Sequence, residues 1–400
     1  MKKIWSAIFE KGRSVHRKAS VSFKSDRSIF CETRLARFYD ARNERGLRMK
    51  YSFDEVIDRT GNRCAKYDER LQKFGRADVL PLWVADMDFK TAQPIIDACA
   101  AKAKEDIWGY TSRPDSYFQA VQDWQLRRKQ WKPDTKLMSW SLGVVPAMSA
   151  ILHIFSDPQD RILIQTPVYS EFYDIVEDSG RIVVENRLLE QNGRWQIDFD
   201  DFARKARTCR IFQLCSPQNP VGRVWSRDEL TRMAQICIEN DVLIVSDEIH
   251  SDLIFNGCRH IPTASLSEDI GRHVITCTSV SKTFNLAGMQ ASTTIFPDAK
   301  KKERFDRFWG AMDIHRNNAF SSVAMEASYR HGEEWLDQLL FNLQGNFDCV
   351  CDFCKKWIPQ IRPNHPDETY LLWLDCRDLH LSDDALRDFF IERAERRAIV

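Results

Sequence analysis

Short apolar runs alternate with longer amphipathic segments through the middle of the chain. Six runs have strand length, at Ile162–Gln165, Ile182–Glu185, Ile211–Cys215, Val242–Ser246, Val274–Thr278 and Ser292–Phe296. Segments of helical periodicity separate them, as at Leu230–Glu239. This alternation predicts a parallel or mostly parallel sheet with helices on both faces. Ligands of such sheets bind beyond the carboxyl ends of the strands.

The regions on either side have other patterns. Residues 51–136 show helical and loop-like patterns, and a long helical stretch begins at Glu303. It leads into a second unit, for which the patterns predict a strand at Tyr370–Leu374 and a helix at Asp383–Arg396.

The first 48 residues differ in composition from the rest. They contain 13 lysines and arginines but 5 acidic residues, and they show no clear apolar periodicity. Three interpretations stay open: a disordered extension, a mitochondrial-type transit peptide, or sequence upstream of a start at Met49. We favour the first and the third.

Charge and hydropathy narrow the class of function. The chain has 58 lysines and arginines and 58 aspartates and glutamates, so no basic excess attracts it to nucleic acid or to an anionic membrane. Its apolar runs fall short of the roughly 18 residues that a membrane span needs. These features indicate a cytoplasmic enzyme that acts on small molecules, with no nucleic-acid or membrane partner.

The twelve cysteines are scattered rather than spaced as a disulfide framework, so free, mostly buried thiols are expected. The tightest group is Cys349, Cys351 and Cys354. Cys354 continues an apolar helical pattern with Leu343 and Phe347, and the nearby sequence offers no second Cys/His pair. We therefore predict no metal site and interpret Cys354 as a core residue.

A serine-rich loop with one lysine follows the apolar strand that ends at Cys277. It is Ser-Val-Ser-Lys-Thr-Phe-Asn-Leu-Ala-Gly over residues 279–288, with the lysine at 282. A lysine amine forms an imine with an aldehyde, and neighbouring hydroxyls bind phosphate; pyridoxal 5′-phosphate (PLP) uses both. Taken alone, the motif is equally typical of a solvated surface lysine.

Two further strand ends carry groups suited to a pyridine ring. Asp247 follows the run Val242–Ser246, where a carboxylate can hold a ring nitrogen protonated, and His250 can then reach the ring oxygen. Asn219 precedes Pro220, which keeps its backbone out of the helical region, so its amide can point into a site. The plainer interpretations are a helix N-cap and an ordinary turn.

The sequence also offers candidate residues for binding phosphate and for stacking on a ring. Residues 141–147 open a helix whose first N–H groups and dipole suit a dianion, and Gly143 permits close approach. Tyr169 ends the segment Thr166-Pro167-Val168-Tyr169 and can stack on a ring, although a buried core tyrosine is the alternative. The order of these motifs along alternating strands is the strongest signal.

Together these motifs resemble the class I/II aminotransferases, which are PLP enzymes of fold type I. Two further phrases, residues 83–89 (Trp-Val-Ala-Asp-Met-Asp-Phe) and 109–111 (Gly-Tyr-Thr), resemble the MalY/PatB family of cystathionine β-lyases, also described as cysteine-S-conjugate lyases. The match runs from about Tyr51 to the end of the chain. It implies a mostly parallel seven-stranded sheet sandwiched by helices, plus a smaller α+β domain.

The resemblance also implies roles for individual residues. Lys282 is implied as the Schiff-base lysine and proton shuttle, and Asp247 as the partner of the pyridine nitrogen. Asn219 and His250 flank the ring hydroxyl, and Tyr169 stacks on the ring. The implied phosphate ligands are the Val144 and Val145 backbone, Ser279, Ser281, and Tyr110 of a neighbouring subunit. Ala85 lines the substrate carboxylate.

By the same resemblance the chain is a homodimer with shared active sites. Its domains are expected at 1–48 (basic extension), 49–95 (N-terminal arm and part of the small domain), 96–305 (large PLP-binding domain) and 306–400 (small domain, incomplete). The substrate is a sulfur-containing amino acid, cleaved by α,β-elimination to a thiol, pyruvate and ammonia.

Two departures from the wider family leave alternatives open. Gln290 stands where related aminotransferases often carry a phosphate-binding arginine, as is usual in the β-lyase branch. The chain stops at Val400, before the Gly-rich strand and the carboxylate-binding arginine of family members. A PLP-dependent aminotransferase, and a truncated, weakly active or non-enzymatic binding protein, are therefore the competing hypotheses.

Overall fold

The structure is a computed structural model that describes residues 49–191, 193–255, 257–364, 366–393 and 398–399. The described chain forms two compact units. The first comprises 49–90, 341–363 and the described residues from 374 onward, and the second comprises 91–340 and 364–373. The basic segment 1–48 lies outside the described residues, and the domain boundaries expected from the sequence stay predictions.

Thirteen strands occur in the described part of the chain. They are β1 Leu80–Pro81, β2 Met138–Ser141, β3 Arg161–Thr166, β4 Ile182–Arg187, β5 Leu189–Gln191, β6 Arg194–Gln196, β7 Ile211–Cys215, β8 Leu243–Asp247, β9 Val274–Ser279, β10 Ser292–Ile295, β11 Arg362–Pro363, β12 Leu374–Asp375 and β13 Ala398–Ile399.

Fourteen α-helices are described. They are α1 Ala65–Asp68, α2 Arg70–Phe74, α3 Gln93–Ala103, α4 Asp115–Lys129, α5 Val144–Phe155, α6 Glu171–Asp178, α7 Phe199–Ala206, α8 Arg227–Glu239, α9 Glu268–Gly271, α10 Val280–Thr283, α11 Ala299–Ala311, α12 Ser321–His331, α13 Glu333–Trp357 and α14 Asp383–Asp388. None of them combines the length and apolar character needed to cross a bilayer.

The second unit is built on a seven-stranded sheet in the order β2-β10-β9-β8-β7-β3-β4. The pairs from β9 to β4 are parallel, and β10 is antiparallel to both of its neighbours. The predicted mostly parallel sheet is therefore confirmed. The apolar runs marked six of its strands and missed β2, because serine at every second position of Met138–Ser141 breaks up its apolar character.

Helices cover both faces of this sheet, as predicted. One core packs α5, α6 and α11 against strand residues such as Ile164 and Ile275. The other packs α7 and α8 against residues such as Leu163 and Ile244. Consecutive strand residues such as Leu163 and Ile164 thus enter opposite cores, since side chains alternate across a strand. The strands are continuously apolar because both faces of the sheet are buried.

The strand predicted at Tyr370–Leu374 is wrong. Only Leu374–Asp375 is a strand, and it pairs with Arg362–Pro363 in the first unit. Residues 364–373 instead lie in the second unit as a loop, whose backbone bonds include Thr369 N–H to Leu253 O at 2.7 Å. An apolar run indicates that a segment packs against the protein, and residues 370–374 are half-buried, but a strand also needs a neighbouring strand to pair with.

The helical predictions agree more closely with the structure. Helix α8 confirms the pattern at Leu230–Glu239, and the helix predicted at Asp383–Arg396 is α14 followed by a wider helical turn at Phe389–Arg393. Residues 394–397 lie outside the described part. In the first unit Cys354 is buried beside Phe353 and Ile361, which confirms it as a core residue.

Candidate active site

Three adjacent parallel strands end at the same level in the second unit. Cys215 of β7 pairs with Asp247 of β8, and Asp247 pairs with Cys277 of β9. The chain beyond each of these residues therefore emerges at one edge of the sheet. Asn219, His250 and Lys282 lie in the segments that directly follow these three strands. The sequence predicted ligand-binding residues at these positions.

Asp247 is an acid that is shielded from solvent at the end of β8. Its side chain is buried, and Oδ1 accepts a hydrogen bond of 3.0 Å from the Ile249 N–H. Burial raises the pKa of Asp247 to about 7, although the charge of Lys282 acts in the opposite direction. Lys282 therefore lies within electrostatic range of this carboxyl.

Lys282 lies on the short helix α10, which begins directly after β9. Ser279 caps this helix, because its Oγ accepts the Ser281 N–H at 3.0 Å and donates to Ala291 O at 2.6 Å. Thr283 Oγ1 donates to Asp252 Oδ2 at 3.0 Å. The backbone on both sides of Lys282 is thus held by hydrogen bonds.

The same bonds bear on the expected phosphate ligands. Ser279 has one O–H donor, and Ala291 O already accepts it. Ser281 is half-buried on the first turn of the helix. Of the two serines, Ser281 is the better placed to donate to a phosphate, while Ser279 orients the lysine loop.

Asn219 carries an unsatisfied polar atom. Its side chain is buried, its N–H donates to Cys215 Sγ at 3.4 Å, and its Oδ1 has no hydrogen-bond partner among the described residues. The neighbouring Gln218 Nε2 donates to Gln165 O and Pro167 O at 3.0 and 2.8 Å. This amide ties the Asn219 loop to the loop that carries Tyr169.

His250 is buried and faces a hydroxyl and a carboxyl. Nδ1 lies 3.1 Å from Thr369 Oγ1 and 4.0 Å from Glu368 Oε2. Burial, reinforced by the charge of Lys282, lowers the pKa of His250 to about 3, so the imidazole is neutral at pH 7. A neutral imidazole carries a proton on one nitrogen only, and that nitrogen is its donor.

The amino end of α5 supplies an anion site. Gly143 precedes the helix in extended backbone and, as the N-cap, has no side chain that could bond the first N–H groups, which belong to Val144 and Val145. A Cβ at Gly143 would come within 3.3 Å of Pro146 Cδ, so a larger residue would crowd this turn. Ser292 pairs with Ser141 on one side and Ser279 on the other, which places this helix start beside the lysine loop.

The remaining expected residues are placed as follows. Tyr169 is 44% exposed, and burial, Glu171 and Asp247 raise its pKa, so its ring lies within electrostatic reach of Asp247. Tyr110 is 96% exposed. Ala85 belongs to the first unit.

Comparison with known proteins agrees with this geometry. The family model "Aminotransferase class I and II" matches residues 77–394. Cystathionine β-lyase PatB of Bacillus subtilis (strain 168) is 39% identical over 86% of this chain and 89% of its own length. Protein MalY of Escherichia coli (strain K12) is 31% identical over 86% and 88%. The chain belongs to the class I and II aminotransferase family, in its PatB/MalY branch.

A solved structure supports the same assignment. The PLP-bound C–S lyase of Staphylococcus hominis superposes with a TM-score of 0.82 at 31% identity, covering 88% of this chain and 90% of that one. The resemblance inferred from the motifs is thereby confirmed, and so is the fold class of a PLP fold type I aminotransferase.

The residues present in this member of the family fit PLP. The amide of Asn219 is buried with one end unpartnered, and rotation of the amide can present its NH2 to a ring oxygen. Asp247 is a buried acid beside which a protonated ring nitrogen would supply a positive charge. The start of α5 offers N–H groups to a phosphate. Ring oxygen, ring nitrogen and phosphate each find a matching group.

Sequence reasoning missed Glu368 and Thr369, which lie behind His250. They follow β8 by more than a hundred residues, in the segment wrongly predicted to lead into a strand. The one available signal was that Glu368 directly precedes the mostly apolar segment from Thr369 to Leu374.

Proposed function

We propose that this chain is a PLP-dependent carbon–sulfur β-lyase, which cleaves cystathionine or a related cysteine S-conjugate to a thiol, pyruvate and ammonia. One observation carries the proposal: Lys282, Asp247 and Asn219 lie at the carboxyl ends of three adjacent strands, where Asp247 is a buried acid and Asn219 Oδ1 has no hydrogen-bond partner among the described residues. Membership of the PatB/MalY branch favours elimination over transamination.

PLP would be held at three points. The N–H groups at the start of α5, with Ser281, would bind the phosphate. Asp247 would accept a hydrogen bond from the ring nitrogen, while Asn219 and His250 would flank the ring oxygen. When bound, PLP supplies an aldehyde that links covalently to an amine and a ring that stabilises the electron pair left on the substrate Cα.

The protein's own groups then move the proton. Lys282 Nζ accepts the proton from the substrate Cα, and the Cβ–S bond breaks with departure of the thiolate. Asp247 stabilises the site while charge develops, because its carboxylate is buried and fixed by the Ile249 N–H. Burial also excludes water from the His250 and Asp247 side of the site. Tyr169 would stack on the ring.

Assembly as a homodimer belongs to the same proposal. Ile107, Trp108 and Tyr110 expose 80%, 60% and 96% of their side chains within four consecutive positions. Such a patch of large apolar side chains is typical of an interaction surface. We propose that a second copy of this chain covers it and that Tyr110 contributes to the phosphate site of that copy. Ala85 would line the substrate carboxylate, and the cytoplasmic location stays a prediction.

Trapping and product assays test the function together. Borohydride reduction of PLP-loaded protein should attach the cofactor to Lys282, identified by peptide mass spectrometry. Cystathionine should yield pyruvate and free thiol in equal amounts, and Lys282→Ala should lower kcat by about 10³-fold or more. Lys300→Ala removes an exposed lysine of α11 and should change neither the trapping of the cofactor nor the formation of products.

Two outcomes would reject the proposal. An unmodified Lys282 after reduction would remove the covalent chemistry. Transfer of the amino group to a 2-oxo acid, with no pyruvate or thiol released, would assign an aminotransferase instead.

A further inference from the structure

Glu368 is a fully buried acid in the loop 364–373. Its side chain is 0% exposed, and both carboxyl oxygens lack a hydrogen-bond partner within the described residues. A β-bridge to Ile254 and the bond from the Thr369 N–H to Leu253 O hold its backbone. An unpaired polar group in such a position costs free energy, so a functional cause is worth seeking.

The nearest polar group of the site is His250. Glu368 Oε2 lies 4.0 Å from His250 Nδ1, about 1 Å beyond hydrogen-bond distance. Thr369 Oγ1 lies 3.1 Å from the same nitrogen, and the Tyr370 ring centroid lies 6.2 Å from that of the imidazole. Lys282 is the charged group that acts on His250 from the β9 side.

Burial disfavours the charged form of both members of this pair. Burial, with a contribution from Asp367, raises the pKa of Glu368 well above its usual value. Burial and Lys282 lower the pKa of His250. In its protonated form Glu368 carries an O–H donor, and neutral His250 carries one proton on either Nδ1 or Nε2.

Thr369 by itself does not decide between these tautomers, because a hydroxyl both donates and accepts. The carboxyl of Glu368 is different. Neither of its oxygens has a hydrogen-bond partner among the described residues, and His250 Nδ1 lies 4.0 Å from Oε2, where a small shift lets a protonated carboxyl donate to it. A buried donor left unsatisfied costs about 1–3 kcal/mol, so the carboxyl favours the tautomer in which Nδ1 is unprotonated and accepts.

We propose that Glu368 is a positioning residue that fixes His250 in the Nε2–H tautomer. The consequence rests on the proposed function: Nε2–H is then directed as a donor to the ring oxygen of PLP. Ionised Glu368 would reverse the arrangement, since a carboxylate attracts the proton to Nδ1 and leaves Nε2 as an acceptor. The protonation of an acid that does not touch the cofactor thus decides what His250 offers to it.

Histidine ¹⁵N spectra test the tautomer directly, with and without PLP. Protonated and unprotonated ring nitrogens have distinct shifts, and His250→Gln identifies the signals of His250. We expect an unprotonated Nδ1 and a protonated Nε2 in the wild type. Glu368→Gln keeps a donor and should retain this pattern, whereas Glu368→Met should give a mixture of tautomers. Glu239→Met makes the same substitution at an exposed glutamate of α8; it is the matched control and should leave the signals unchanged.

A second readout uses the visible band of the bound cofactor. A donor to the ring oxygen withdraws charge from it and weakens its hold on the neighbouring imine proton. Loss of that donor in Glu368→Met should therefore raise the pH at which the band titrates, with no such rise in Glu368→Gln.

The outcomes separate this inference from the proposed function. A protonated Nδ1 in the wild type, or identical histidine signals in wild type and Glu368→Met, would overturn the role of Glu368. Failure to trap PLP on Lys282 would overturn the function instead, and the spectra of cofactor-free protein would still decide the tautomer.

Discussion

Lys129 Nζ lies 2.9 Å from Asp252 Oδ1, and each of these two side chains is 2% exposed. Asp252 also accepts hydrogen bonds of 3.0 Å from Trp124 Nε1 and from Thr283 Oγ1. Burial alone would raise the pKa of Asp252, but Lys129 and these donors hold it below its usual value. Because Thr283 follows Lys282, this buried ion pair supports the helix that carries the proposed Schiff-base lysine.

Lys129→Met should destabilise the protein strongly. It leaves Asp252 as a buried charge without its counter-ion, which costs about 3–5 kcal/mol. Denaturant unfolding of the second unit measures the loss. The double variant with Asp252→Asn should lose less, since no buried charge is left.

Lys132→Met is the control, because Lys132 is exposed just beyond α4 and should change stability by less than about 0.5 kcal/mol. A Lys129→Met protein as stable as this control would show that the ion pair contributes little.

Cofactor-free protein should become less stable as the pH rises from about 4 to 7. Burial raises the pKa of Asp247 to about 7 in the folded chain, whereas the unfolded chain releases this proton near pH 4. Between these values the folded state holds the extra proton, so stability is greatest at the acid end. The decline attributable to Asp247 should reach about 4 kcal/mol.

Comparison with Asp247→Asn isolates the contribution of Asp247 to the pH dependence of stability. Glu368 also lowers stability as the pH rises, but it does so in both proteins. Unfolding free energies at several pH values should fall more steeply in the wild type. Parallel pH profiles for the two proteins would contradict the shift assigned to Asp247.

Arg59 should order the segment that contains Ala85. Its guanidinium pairs with Asp86 at 3.0 Å and Asp88 at 2.8 Å, and the nearly buried Lys66 pairs with both acids. Arg59→Met removes these charge-assisted bonds and should destabilise the first unit by about 1.5–3 kcal/mol. Hydrogen exchange over residues 83–89 should accelerate, and KM should rise more than kcat falls.

Lys90→Ala is the matched control for this prediction. It breaks the Lys90–Glu55 pair of 2.7 Å, whose members are 61% and 54% exposed. Exposed pairs contribute little, so exchange and KM should stay at their wild-type values. Equal effects of the two variants would refute an ordering role for Arg59.

Subunit mixing should reveal whether Tyr110 acts on the neighbouring copy. Tyr110→Ala and Lys282→Ala homodimers should each be nearly inactive. An equal mixture, unfolded and refolded together, forms mixed dimers in which one site holds both native residues. About one quarter of wild-type activity should return. If the mixture stays inactive, Tyr110 and Lys282 serve the same subunit's site, whereas a fully active Tyr110→Ala homodimer would show that Tyr110 serves none.

Local pattern was enough to predict much of this protein. Apolar runs separated by helical periodicity marked the strands of the sheet, and chain direction then placed Asn219, Asp247 and Lys282 at one edge, because parallel strands end together. Periodicity also identified Cys354 as buried. These inferences need only a residue's near neighbours in the chain.

Tertiary structure decided the rest. It placed Glu368 behind His250 and joined Lys129 to Asp252, contacts between residues 118 and 123 positions apart. It also showed that the chain around Tyr370 is a loop, and that the Ser279 hydroxyl donates its hydrogen bond to Ala291 O. The physical reason is that burial and pairing set the charge, tautomer and free donors of a side chain. Those depend on groups brought together only when the sheet and its covering loops assemble.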